Sequence, residues 1–118
     1  MAKRILLAVK DQGLRESVDA LLTESYTVVP VRTDREAIRR ITFEPFHLVI
    51  VDNSFRDSTV NSLVAEARKP ERERPVPVLI LVVSGDDHGL LVDRAQGFLT
   101  VPMDSTELFS KIERAVSA

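Results

Sequence analysis

The stretch Phe46-His47-Leu48-Val49-Ile50-Val51-Asp52 decides the fold. It is apolar at almost every position, which is how a strand covered on both faces reads. Strands of that kind belong to parallel sheets with helices packed over each side. The run stops at one carboxylate, Asp52. A buried strand ending in an acid is a good place for an acyl-phosphate or metal site.

Working outward, short apolar runs alternate with segments of helical spacing. Arg4 to Val9 forms the first run. Leu14, Val18, Leu21 and Leu22 then recur at i, i+4, i+7, i+8 and predict a helix. Tyr26 to Val31 is a second strand, and Pro30 within it has no amide to donate, which assigns it to a sheet edge. Thr33-Asp34-Arg35-Glu36 has the form of a capping box, opening a helix that buries Ala37, Ile38 and Ile41. After the Phe46–Val51 strand, a helix from about Ser58 to Arg68 turns Val60, Leu63, Val64 and Ala67 inward. Val76 to Val83 is a fourth strand, Gly85 to Arg94 holds only a short helix, and Gly97 to Val101 is a fifth strand. Asp104 caps a last helix with Leu108, Phe109, Ile112 and Val116 inside. The charged segment Arg68 to Pro75 reads as a solvated connector, or more sharply as a docking loop.

Five strands alternating with five helices predict an α/β chain: a flavodoxin-like three-layer sandwich with a parallel sheet in order 2-1-3-4-5. That order leaves the Pro30 strand at an edge. The 118 residues suit one domain, and 44% hydrophobic content fills one core. A net charge of -2 without a dense basic tract gives no nucleic-acid footprint. The absence of cysteine removes disulfides and thiolate chemistry. No apolar run is long enough to span a bilayer. A soluble cytoplasmic protein, monomeric or weakly dimeric, is the expectation.

Ligands in such a sheet gather at the carboxyl ends of the strands, near the point where strand order reverses. The third strand delivers Asp52 there, and the first delivers Val9, Lys10 and Asp11. No glycine-rich phosphate loop follows the first strand, which argues against a flavin or dinucleotide. No nucleophile–base pair appears, so an enzyme acting on an external substrate is not expected.

Four segments in order carry a resemblance: Ile5-Leu6-Leu7-Ala8-Val9-Lys10-Asp11, Leu48-Val49-Ile50-Val51-Asp52, Pro77-Val78-Leu79-Ile80-Leu81-Val82 and Gly97-Phe98-Leu99-Thr100-Val101-Pro102. Through them residues 1–118 resemble a single response-regulator receiver domain of the chemotaxis-regulator type. The resemblance implies that Asp52 is the phosphoacceptor equivalent. It places the two metal-binding acids on Val9 and Lys10, the switch hydroxyl on Val82, the phosphate-contacting lysine on Val101 and the switch aromatic on Phe98. The family's Pro and Gly after the phosphoacceptor loop fall on Arg56 and Val60. Asp11 stands one residue late for an acid position, and both a shifted ligand and a cap on the first helix remain open.

These departures bear on the chemistry. Aspartyl phosphorylation uses Mg²⁺ to neutralise the phosphoryl oxygens. Magnesium demands oxygen ligands in near-octahedral geometry. Val9 offers none, Lys10 brings a positive charge, Val82 has no hydroxyl and Val101 no cation. The expectation is a pseudo-receiver: a phosphorylation-independent interaction module in bacterial signalling, with no cofactor and absent or weak Mg²⁺ binding. Its partners would be signalling proteins, such as a histidine kinase or an output domain, and neither nucleic acid nor membrane. The Lys10 ammonium is expected beside Asp52, in place of the missing cation. Two alternatives are a working receiver phosphorylated on Asp52 by a histidine kinase, and a small-ligand sensor with an apolar pocket near Val9, Val82 and Val101.

Overall fold

The computed structural model describes residues 2–72, 75–83, 97–101 and 105–117, with backbone pairing alone for 83 and 97–101. The strands are β1 (Arg4–Ala8), β2 (Thr27–Val31), β3 (Leu48–Asp52), β4 (Val78–Val83) and β5 (Gly97–Val101). The described helices are α1 (Gln12–Leu22), α2 (Asp34–Phe43), α3 (Asp57–Ala67) and α4 (Ser105–Ser117). The sheet is parallel, in order β2-β1-β3-β4-β5. The short helix expected over Gly85 to Arg94 and the cap at Asp104 lie outside the described residues.

Pleating sorts the strand residues between two cores. Leu6, Ala8, Val49, Val51, Ile80 and Val82 cluster with Ala37 and Ile41 of α2 and with Val60 and Leu63 of α3. Ile5, Leu7, Leu48, Ile50 and Leu81 cluster instead with Val18 and Leu22 of α1 and Ile112 of α4. All five residues of β3 are buried, as a strand with helices on both faces requires. β2 pairs only with β1 and sets Pro30 opposite Leu7, so its missing amide costs no ladder bond on the free side.

β3 begins at Leu48 because the residues before it serve another purpose. His47 Nδ1 accepts the Arg4 amide at 3.0 Å, and the Arg4 guanidinium lies 5.1 Å from the Phe46 ring centroid. Arg4 also reaches Glu44 at 2.7 Å, where Arg40 of α2 converges at the same distance. The hydrogen bond from Arg40 comes first among the causes that lower the Glu44 pKa, and the Arg4 charge adds to it. At the other end of α2, Thr33 Oγ1 accepts the Glu36 amide at 3.1 Å, the cap predicted from sequence. The return half of the box is displaced by one residue, since Glu36 accepts the Arg32 amide at 3.4 Å.

Candidate functional site

The carboxyl ends of β1 and β3 lie side by side, with Ala8 opposite Val51. Asp52 therefore stands beside the β1–α1 turn, and it is 2% exposed. Its Oδ2 accepts the Lys10 backbone amide at 2.7 Å, and its Oδ1 accepts the Ser54 amide at 2.6 Å. Burying a carboxylate is costly unless hydrogen bonds replace its water. Two charge-assisted amide bonds do so here, one to each oxygen.

Lys10 departs from its expected place. Its amide, not its ammonium, serves Asp52. The ammonium turns toward α2, where Nζ lies 2.8 Å from Asp34 Oδ1 and 4.9 Å from the Phe55 ring centroid. Sequence alone put the ammonium at Asp52 because that carboxylate was the nearest acid in the strand frame. The competing acid is brought in by α2, whose first residue is Asp34.

Asp34 is the residue the sequence analysis missed. Its Oδ2 accepts the Thr59 hydroxyl at 2.6 Å and the Arg56 amide at 3.2 Å, while Oδ1 holds Lys10. Arg56 is the N-cap residue of α3 and has no side-chain cap bond of its own. Asp34 thus caps α3 from another helix, with its charge near two helix N-termini, where the macrodipole favours an anion. Burial alone would raise its pKa. The hydrogen bonds from Lys10, Thr59 and Arg56, together with the Lys10 charge, outweigh that and hold the carboxyl well below the usual carboxylate range. The only signal in sequence was an acid inside a capping box, which has a local explanation.

Asp11 resolves as the cap. Its Oδ2 accepts the Leu14 amide at 2.8 Å at the start of α1. Arg15, one turn on, folds back so that Nη1 donates to the Val9 carbonyl at 2.8 Å and the Lys10 carbonyl at 3.3 Å. Val9 is fully buried in the α1–α4 core, and Val82, 2% exposed, in the α2–α3 core. The two valines therefore sit in separate clusters, on opposite faces of the sheet. Val82 pairs in register with Thr100, and Val83 with Val101. The side chains of Phe98 and Val101 lie outside the described residues. Among the described residues no group of three or more His, Asp or Glu side chains converges in a way that could hold a metal ion.

This architecture is similar to that of solved receiver domains. The chain superposes on the receiver domain of the sensor histidine kinase PA1611 of Pseudomonas aeruginosa PAO1 with a TM-score of 0.84, at 20% identity and full coverage of both chains. That structure carries a magnesium ion coordinated in its active-site cleft. The chemotaxis response regulator CheY4 of Vibrio cholerae gives a TM-score of 0.79 at 20% identity, over 98% of this chain and 99% of that one. At these identities the likeness shows the fold. In sequence, the chain is 32% identical over 116 residues to the transcriptional regulatory protein GlrR of Escherichia coli K12. The match covers 95% of this chain and 26% of that protein, so the chain spans about a quarter of the relative's length. No protein-family model matches the chain. The chain thus has the CheY-like receiver fold and is similar over 116 residues to a part of a transcriptional regulatory protein. No helix among the described residues is long and apolar enough to cross a membrane.

Proposed function

We propose that this receiver domain is a pseudo-receiver: an interaction module that works through its surfaces without an aspartyl-phosphate cycle of its own. One observation carries the reading. Both oxygens of Asp52 accept from backbone amides, while the Lys10 ammonium is committed to Asp34. The donor set around Asp52 fits Mg²⁺ poorly. Val9 has no oxygen to offer from its side chain, Lys10 carries a positive charge, and the Asp11 carboxylate caps α1. The Val9 and Lys10 carbonyls already accept from Arg15. Mg²⁺ wants near-octahedral oxygen ligation, which these groups are poorly placed to supply. Val82 has no hydroxyl for a phosphoryl oxygen. Losing one preorganised electrostatic partner typically costs about 2.7–4 kcal/mol of transition-state stabilisation. Several such losses, even if not additive, leave little phosphoryl transfer.

Receiver domains interact with histidine kinases and output domains, and partners of that kind are the ones we assign to this chain. The working-receiver alternative has one observation in its favour: Asp52 itself stands at the end of β3, buried and in place. Magnesium separates the two readings. The amide resonances of Lys10 and Ser54 report directly on the Asp52 carboxylate. Millimolar Mg²⁺ is expected to leave both unmoved. Saturable shifts at those two amides would establish the working receiver instead.

A further inference from the structure

One face of α2 presents a stripe that the site does not use. Arg35, Arg39, Thr42 and Phe43 are all exposed and recur at i, i+4, i+7, i+8, while Ala37 and Ile41 fill the inner face. Phe43 is 80% exposed, the one large hydrophobic so placed among the described residues. With Ile38 it borders a groove of about 510 Å³ that reaches Thr59 of α3. The groove's charge is positive in effect. Arg35 and Arg39 make no ion pair among the described residues, whereas Arg4 and Arg40 are both spent on Glu44. The acid at its end, Asp34, is already held by Lys10, Thr59 and the Arg56 amide.

We infer that the α2 groove docks an acidic segment of a partner protein. An apolar anchor of that segment packs on Phe43 and Ile38, and its carboxylates pair with Arg35 and Arg39. The inference rests on reading the chain as an interaction module, and it specifies the surface and the partner's chemistry. Charge complementarity selects the occupant. A second copy meeting this stripe across a two-fold axis would set arginines against arginines. An acidic partner gains both pairings while covering the exposed ring, and an aromatic beside arginines is the composition of an interface anchor.

The test is to pan a displayed library of random peptides, about 16 residues long, against the folded chain. The enriched peptide is then titrated into labelled wild type, Phe43→Ser and Arg35→Glu/Arg39→Glu. Both variants alter exposed positions, and their circular dichroism is expected to match wild type. Enriched sequences should be acidic with an apolar anchor. Their amide shifts should map to Arg35, Ile38, Arg39 and Phe43, and each variant should weaken binding at least about tenfold. Enrichment of neutral or basic peptides, shifts on another face, or equal binding by the variants would overturn the proposal. So would equally tight binding of a single-stranded oligonucleotide, or a dimer in ultracentrifugation that Phe43→Ser abolishes. A response to phosphodonor at Asp52 would sink the pseudo-receiver reading alone, because the groove is judged on the peptide titrations.

Discussion

The hydroxyl of Thr59, a residue only 7% exposed, donates to Asp34 Oδ2 at 2.6 Å. Thr59→Val keeps the shape and removes the donor. A hydrogen bond to a charged group contributes about 1.5–3 kcal/mol, so a loss of that size is expected in denaturant unfolding at neutral pH. Lys10→Met should cost less, about 0.2–1 kcal/mol, because the Lys10 side chain is 37% exposed and the pair is screened by solvent. Both changes should raise the Asp34 pKa. The sign of the pH dependence follows. The folded-state pKa of Asp34 lies below the ordinary aspartate value of 3.8. The unfolded chain therefore binds the proton first as pH falls, and the stability contributed by Asp34 is full above that value and lost below it. Because both proteins share the same unfolded state, the penalty of Thr59→Val should shrink only where the variant's raised Asp34 carboxyl takes its proton before the wild type's, well below the usual carboxylate range. An Asp34 pKa left unchanged by Thr59→Val in an NMR titration of the folded proteins would show that the hydroxyl does not act through the Asp34 charge. None of this was legible in sequence. Asp34 and Thr59 are 25 positions apart, and each has an ordinary local role at its own helix. Asp11 was half legible: its place before α1 favoured a cap, and only the turn geometry excluded the alternative.

Among the elements, the α3–β4 connection differs most from its sequence appearance. Read as a mixed-charge solvated loop, it contains Arg72, whose Nε donates to the Glu66 carbonyl at 2.7 Å and whose Nη2 donates to the Ile41 carbonyl at 2.8 Å. Those carbonyls belong to the last turns of α3 and α2, where acceptors are left over and a cation meets the negative end of each dipole. One guanidinium fork ties two helix ends together. Arg72→Ala is expected to destabilise the domain by about 1–3 kcal/mol, as for lost bonds to a charged donor. Exposed Arg68→Ala should stay within about 0.5 kcal/mol of wild type. Lysine at position 72 should recover only part of the loss, since an ammonium cannot reproduce the planar fork. Thermal melts of the three variants check this ranking. Element boundaries shifted from expectation for similar reasons. Phe46 and His47 read as strand but pack and bond with Arg4 instead, so β3 starts two residues later. The helix periodicities, by contrast, were legible because Val18, Leu22, Ala37, Ile41, Val60 and Leu63 answer to one requirement, burial against the sheet.

For the whole molecule, the parallel arrangement was readable because β3 and its neighbours are apolar on both faces, and Pro30 fixed which strand lies outside. The location of the site was readable for the same reason, as the strand order decides where Asp52 emerges. What surrounds Asp52 was not, because its partners are backbone amides of Lys10 and Ser54, which carry no residue-type signature. The central claim is that this frame holds its aspartate without using it as a phosphoacceptor. The most direct measurement is intact mass after incubation with acetyl phosphate and Mg²⁺, with Asp52→Asn in parallel. The expected result is an unchanged mass for both proteins. A gain of one phosphoryl group on wild type that is absent from Asp52→Asn would contradict the account.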